Sequence, residues 1–256
     1  MDIDLQGKNI LVTREESQAH KFAEKIKRFG GNPSIVPLLK VNHVDSKNHL
    51  KILGNLQQYE WIFFTSAHGV HSFFESWKRD GGARRLTHQK IAVVGTKTNE
   101  VLRAYGYQAT FIPSTYNAET MAREFLSEYN PKQPVLLVRG KLASSILPDV
   151  FTKAAIDYDC LTVYETCINE ESKELLNESL HYSHLDYITF ASPSTVDAFF
   201  SLVENVDQIE GETIVCIGTT TETRAKEKGL SNILVPQQFT IEGMIAEMSD
   251  HIAKRG

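Results

Sequence analysis

The chain has 256 residues, with 27 Lys and Arg against 32 Asp and Glu, giving a formal net charge of −5 at pH 7. Its 41% apolar and 23% charged residues are those of an ordinary globular protein with room for about two domains, and no run approaches the ~18 uncharged apolar residues of a membrane span. Basic residues are scattered rather than gathered into a stripe, which argues against nucleic-acid binding through phosphate neutralisation.

The opening "MDIDLQGKNILVTR" lacks the basic, apolar and small-residue order of a signal peptide and leads into a first strand, "KNILVTR". In "EESQAHKFAEKIKRFGG" the residues Ala19, Phe22, Ala23, Ile26 and Phe29 recur at helical spacing, and Gly30 and Gly31 close the helix. Glu15-Glu16, and later Glu170-Glu171, stand at helix starts, where acid complements the dipole. "WIFFTS" then precedes "AHGVHSFFESWKR", with Val70, Phe73, Phe74 and Trp77 on one face. "KIAVVG" precedes "TKTNEVLRAYG", and "ATFIPS" precedes "AETMAREFLSEY". The second half repeats the scheme. "PVLLVRG" comes before a helix starting near Pro148, "LDYITFAS" before "PSTVDAFFSLV", "TIVCIG" before "TTTETRAKEKG", and "NILVPQ" before "TIEGMIAEMSDHI". Strands alternating with helices, the strands being continuous apolar runs, predict an α/β fold with mainly parallel, doubly wound sheets.

The two halves match in register. Gly95, Thr96, Thr98 and Gly106 correspond to Gly218, Thr219, Thr221 and Gly229; Phe64-Thr65-Ser66 corresponds to Phe190-Ala191-Ser192; Leu11 to Arg14 corresponds to Leu136 to Arg139. Three landmarks in one order at a nearly constant offset indicate an internal duplication. Two similar doubly wound lobes would each present loops beyond the C-terminal ends of their strands, where ligands of such sheets bind. Facing lobes would define one cleft.

Cys160, Cys167 and Cys216 are odd in number and fall at no metal-site spacing. Cys160 and Cys216 lie in apolar runs and are expected as small buried hydrophobes, in a reduced, cytoplasmic setting. Neither G-x-G-x-x-G nor G-x-x-x-x-G-K-[ST] occurs, which counts against dinucleotides and ATP, and G-x-S-x-G is missing as well. His68 and His71, like His181 and His184, stand three apart without further ligands and read as solvated side chains.

Arg14, Thr65, Ser66, Gly95, Thr96, Thr98, Arg139, Gly140, Ser192, Ser194, Thr195, Gly218, Thr219, Thr220 and Thr221 all follow apolar strands and precede helices. Each hydroxyl has two readings. It can cap its own helix, or it can help leave a helix N-terminus open to an anion. Repetition around one cleft would suit a ligand with many carboxylates, held without a basic surface. Tyr164, on a strand near the middle of the chain, likewise reads either as a β-former filling an interface or as an acid, since its side chain is protonated at neutral pH.

"ILVTRE", "WIFFTSAHGVHSFF", "IAVVGTKT", "VLLVRG", "LTVYET", "ITFASPSTVDAFF" and "CIGTTTETRAKEKG", in that order, resemble the uroporphyrinogen-III synthase family over nearly the whole length. The resemblance implies two α/β lobes joined by a two-stranded β linker, with residues 1–36 and 169–256 in the first lobe, 43–160 in the second, and 37–42 with 161–168 as the linker. The duplication alone would instead cut the chain near Asn130. The family resemblance implies cyclisation of hydroxymethylbilane with loss of water and inversion of the last ring through a spiro intermediate, without cofactor or metal, by a cytoplasmic monomer in transient contact with hydroxymethylbilane synthase. By the same resemblance Tyr164 is the proton donor, Thr98, Ser192, Ser194 and Thr221 contact substrate carboxylates, and Thr65, Ser66, Gly95, Gly218 and Thr220 shape the cleft through backbone groups; Thr96 is counted with the substrate-binding positions. Arg14 and Arg139 are added for their charge and position. The competing expectation is a non-catalytic two-lobe sensor of a small polyanion, which would carry an output element; the chain ends at "MSDHIAKRG" with no such segment.

Overall fold

The apolar runs become short central strands. The computed structural model describes residues 3–44, 47–79, 86, 88–209 and 211–255. In chain order they form β1 (Asn9–Val12), α1 (Glu16–Arg28), β2 (Asn32–Ile35), β3 (Leu39–His43), α2 (Lys47–Gly54), β4 (Trp61–Phe64), α3 (Ala67–Arg79), β5 (Lys90–Val93), α4 (Thr96–Ala104) and α5 (Ala118–Glu128). These are followed by β6 (Val135–Gly140), α6 (Ile146–Lys153), β7 (Tyr158–Ile168), α7 (Lys173–Tyr182), β8 (Tyr187–Phe190), α8 (Pro193–Leu202), β9 (Thr213–Cys216), α9 (Thr219–Glu227), β10 (Ile233–Leu234) and α10 (Ile241–Arg255).

The strands form two five-stranded sheets, ordered β10-β9-β8-β1-β2 and β3-β7-β6-β4-β5. Pairing is parallel from β10 through to β2 in the first sheet and from β7 through to β5 in the second. Successive side chains point to opposite faces of a strand. On β4, Ile62 and Phe64 enter one apolar cluster with Phe73 and Leu136, while Trp61 and Phe63 enter another with Phe125 and Phe151. On β1, Leu11 faces one cluster while Ile10 and Val12 face the other. Both faces of each sheet are therefore buried under helices, which is why these strands read as unbroken apolar runs.

The chain divides into two compact units, 1–40 with 167–256, and 41–166. Both boundaries fall inside strands, one in β3 and one in β7. The two units share a strand order: β9-β8-β1-β2 in the first corresponds to β5-β4-β6-β7 in the second. The duplication read from the sequence is thus a duplication of topology, with the β1-α1-β2 piece coming first in one unit and its counterpart, β6-α6-β7, last in the other.

Helix ends repeat as well. α1, α4 and α9 each end with a glycine at positive φ, Gly30 at 77°, Gly106 at 83° and Gly229 at 92°. The next residue donates its N–H back to the carbonyl five positions earlier, as Gly31 does to Ile26, Tyr107 to Leu102 and Leu230 to Ala225. This closes the free carbonyls of the last turn. α6 ends in the same way, but with Ala155 at φ 54°. A Cβ is costly in that region, so Ala155→Gly is expected to stabilise the protein by about 1 kcal/mol, read from the urea midpoint; a lowered midpoint would contradict this.

Several expectations need correction. "ATFIPS" forms no strand, contributing only a single bridge from Phe111 to Ala92; Pro113, two residues on, has no N–H to extend a ladder. "IVPLLKV" is interrupted at Pro37, splitting β2 from β3. The helix α2 adds to the expected elements, and α7 follows the acidic start expected at Glu170-Glu171. Cys160 is exposed, whereas Cys216 is buried as expected. β3 lies beside residues 163–167 of β7, with Val44 bonding to Val163 and the Cys167 thiol to Lys40. Cys160, nearer the start of β7, is paired through β6 at the open edge of the sheet.

Candidate active site

In unit 41–166, β4 and β5 end level and β6 runs two residues further, Phe64 lying opposite both Val93 and Val138. Their following loops therefore share one rim. Thr65 and Ser66 follow β4, Gly95 and Thr96 follow β5, and Arg139 and Gly140 close β6. An irregularity between Arg139 and Gly140 skips one residue of β7 and sets Tyr164 opposite Gly140. The Tyr164 hydroxyl lies 3.0 Å from Ser66 Oγ, which also accepts the Gly69 N–H at 3.0 Å. Ser66 is thus fixed by the first turn of α3 and in turn fixes the phenol. A Cβ on Gly140 would sit 2.6 Å from Tyr164 Cζ and 2.8 Å from its oxygen, so the bare backbone at Gly140 is what lets the ring lie there. Arg139 donates to the Ala143 carbonyl, bracing the loop after β6.

Unit 1–40 with 167–256 has an equivalent rim. Ser192 caps α8 in a reciprocal box, accepting from Thr195 N at 3.3 Å while its own N–H reaches Thr195 Oγ1 at 3.2 Å, and its hydroxyl lies 2.9 Å from that of Ser194. Capping is therefore the role visible for Ser192, and Ser192→Ala is expected to cost about 1 kcal/mol in denaturant unfolding; an unchanged midpoint would remove that role. Arg14 is half-buried and donates to Gln18; burial lowers its pKa, opposed by Glu15.

The helix starts after β5 and β9 are built differently. Gly95 and Gly218 occupy the cap positions of α4 and α9 and offer no side chain to cap them. Thr96 and Thr220 are exposed, but Thr98 and Thr221 are only 4% and 1% exposed. At 100° per residue the third helical position turns back toward the sheet. Thr98 and Thr221 are consequently buried as residues, and the exposed part of the rim at these starts consists of backbone and the exposed threonines.

Two residues escaped the sequence reading. Tyr116 lies over Gly95, its Cγ 2.9 Å from where a Cβ would stand, and Phe239 lies over Gly218 at 3.2 Å. The signal was present, because the 123-residue offset from Gly95 to Gly218 also carries Tyr116 onto Phe239.

Among the described residues no group of three or more His, Cys, Asp or Glu could hold a metal ion, and no helix is long and apolar enough to cross a membrane. A cavity of about 370 Å3 lies on α7 and the turn after α8, but Glu174, Glu178 and Glu204 line it and would repel a polycarboxylate.

These features define a duplicated, doubly wound α/β protein whose hydroxyls, glycines and one tyrosine gather at strand ends. Residues 20–246 match the family model described as uroporphyrinogen-III synthase HemD, and the chain belongs to that family. It is 29% identical to the porphyrin biosynthesis protein HemD of Ruminiclostridium josui over 95% of this chain, though spanning only 48% of that protein. It is 26% identical to the uroporphyrinogen-III synthase of Chlorobaculum parvum, covering 91% of this chain and 94% of the relative. The fold is similar to that of uroporphyrinogen-III synthetase from Helicobacter pylori, with a TM-score of 0.63 at 18% identity, over 97% of this chain and 98% of the other.

Proposed function

We propose that this chain is a uroporphyrinogen-III synthase, converting hydroxymethylbilane to uroporphyrinogen III with loss of water. The observation that carries this reading is the family match over residues 20–246. The substrate is a linear tetrapyrrole bearing eight carboxylates. Its terminal hydroxyl leaves with a proton as water, driven out by the lone pair of the adjacent pyrrole nitrogen. The resulting azafulvene is attacked by the substituted carbon of the last ring, giving a spiro intermediate. That intermediate fragments and recloses with the ring inverted, returning a proton.

Tyr164 supplies the proton to the departing hydroxyl, oriented by Ser66 and seated on Gly140. Carboxylates dock on the uncapped starts of α4 and α9, where helix N-termini favour anions, and against Thr65, Thr96, Thr220 and Ser194, with Arg14 and Arg139 adding positive charge. Thr98 and Thr221, on the first turns of α4 and α9, and Ser192, the cap of α8, complete the carboxylate-binding rims. Because hydroxymethylbilane closes unaided to the type I isomer, the decisive task is to hold the chain so that the spiro route is faster. A product ratio of ~100:1 needs about 2.7 kcal/mol between the two transition states. The chain acts as a cytoplasmic monomer, a reading testable by sedimentation and fractionation.

The test is to generate hydroxymethylbilane in the presence of the protein, oxidise the products and separate the uroporphyrin isomers. Type III is expected to predominate. Type I alone, formed at the spontaneous rate beside a folded protein, would overturn the reading.

A further inference from the structure

Tyr116 and Phe239 are 58% and 57% exposed, among the large apolar side chains left at the surface. Each sits in the loop before a helix, and each is the middle residue of a tight three-residue turn. Asn117 N–H bonds to the Thr115 carbonyl at 2.8 Å around Tyr116, and Thr240 N–H bonds to the Gln238 carbonyl at 2.7 Å around Phe239. Each turn is then anchored by the next side chain capping the helix, Asn117 accepting from Thr120 N–H at 2.7 Å and Thr240 from Gly243 N–H at 3.0 Å. The result is the same in both units. A largely exposed aromatic side chain lies against a side-chain-free glycine.

The same exposed ring beside the same helix-cap glycine recurs at the strand-end rim of both units, which places an aromatic surface where a flat ligand ring could lie. The neighbouring glycines belong to the same strand-end rims that the proposed function assigns to substrate. We infer that Tyr116 and Phe239 are pyrrole-stacking residues, each taking the face of one ring of the linear tetrapyrrole while the carboxylates of that ring reach the backbone N–H groups of the adjoining helix start. A pyrrole is a flat π-system, and offset stacking on an aromatic side chain suits it. This inference rests on the proposed synthase reading.

The structural alternative is that the rings are staples. Each precedes a helix cap and stands where it can pack on the fourth residue of that helix, Met121 or Met244. Leucine keeps such an apolar contact and lacks a π face, so the two roles separate. Tyr116→Leu and Phe239→Leu are each expected to raise KM for hydroxymethylbilane about tenfold, with the loss falling on KM rather than kcat. The double variant multiplies the two effects, and Tyr116→Phe or Phe239→Tyr restores KM. Unfolding midpoints measured on the same variants report any stapling role. If the leucine variants keep a normal KM while the parent protein makes type III product, the stacking inference is wrong, whatever happens to their stability. If the parent protein makes no type III product, the synthase reading itself has failed, and that outcome is recognisable before any variant is made.

Discussion

Tyr164→Phe is expected to lower kcat for type III formation by about 10- to 100-fold, a barrier increase of about 1.4–2.7 kcal/mol, with the fold intact. The phenol oxygen is the only atom removed, and its protein partner, Ser66 Oγ, keeps the Gly69 N–H at 3.0 Å. No buried polar group is stranded, so stability should hardly move. The loss stays short of the full range for general acids because the pyrrole lone pair also expels the hydroxyl and water can supply the proton. Since type I arises without the protein, the isomer ratio must fall with the rate. Gly140→Ala approaches the same point from the other side. Its Cβ would lie 2.6 Å from Tyr164 Cζ, forcing the ring aside, and a displacement of about 1 Å is enough to cost a large part of a positioned group's effect. An unchanged rate in Tyr164→Phe would take the residue out of the mechanism, whatever Gly140→Ala does.

Phe125→Ala is expected to destabilise the protein by about 3–5 kcal/mol, visible as a lowered urea midpoint for unit 41–166. Phe125 is fully buried, and its ring contacts Trp61, Phe63, Phe111, Tyr129 and Phe151 at centroid distances of 4.8 to 5.9 Å, mostly edge-on. Ring packing is what holds this cluster, since Trp61 Nε1 finds no hydrogen-bond partner among the described residues. The residues around Phe125 come from β4, α5, α6 and the segment after α4, so truncation opens a cavity that no single element can move in to fill. A shift under about 1 kcal/mol would mean that the cluster collapses freely and would contradict the packing described here.

The strands and most helices were legible because each is a local pattern. β4 reads "WIFF" because both of its faces are covered, and α1 shows its stripe because only one is. α7 showed only its acidic start at Glu170-Glu171, because its apolar stripe, Leu176 and Leu180, is short. "ATFIPS" had strand composition and lost its ladder to a proline. Cys160 looked buried because an apolar run does not reveal whether its strand ends at a sheet edge. The division of the chain is not a local property at all. The duplication points to a cut near Asn130, yet β1 pairs with β8, from Ile10 to Tyr187, and such long-range pairing leaves no trace in the periodicity.

Site residues show the same contrast. Hydroxyls and glycines at strand ends were visible as a class, whereas the contact of Tyr164 with Ser66, 98 residues away, needed the register of β6 and β7. The inward turn of Thr98 and Thr221 could have been read from helical spacing alone. Tyr116 and Phe239 could have been read from the repeat offset, had it been followed past Gly106 and Gly229.

Synthase activity is tested most directly by the isomer ratio measured as a function of protein concentration at fixed hydroxymethylbilane. Type I forms by uncatalysed closure at a rate independent of the protein. The ratio of type III to type I should therefore rise in proportion to protein while protein is limiting. A ratio that stays at its protein-free value across the whole range, with the protein shown to be folded, would contradict the account.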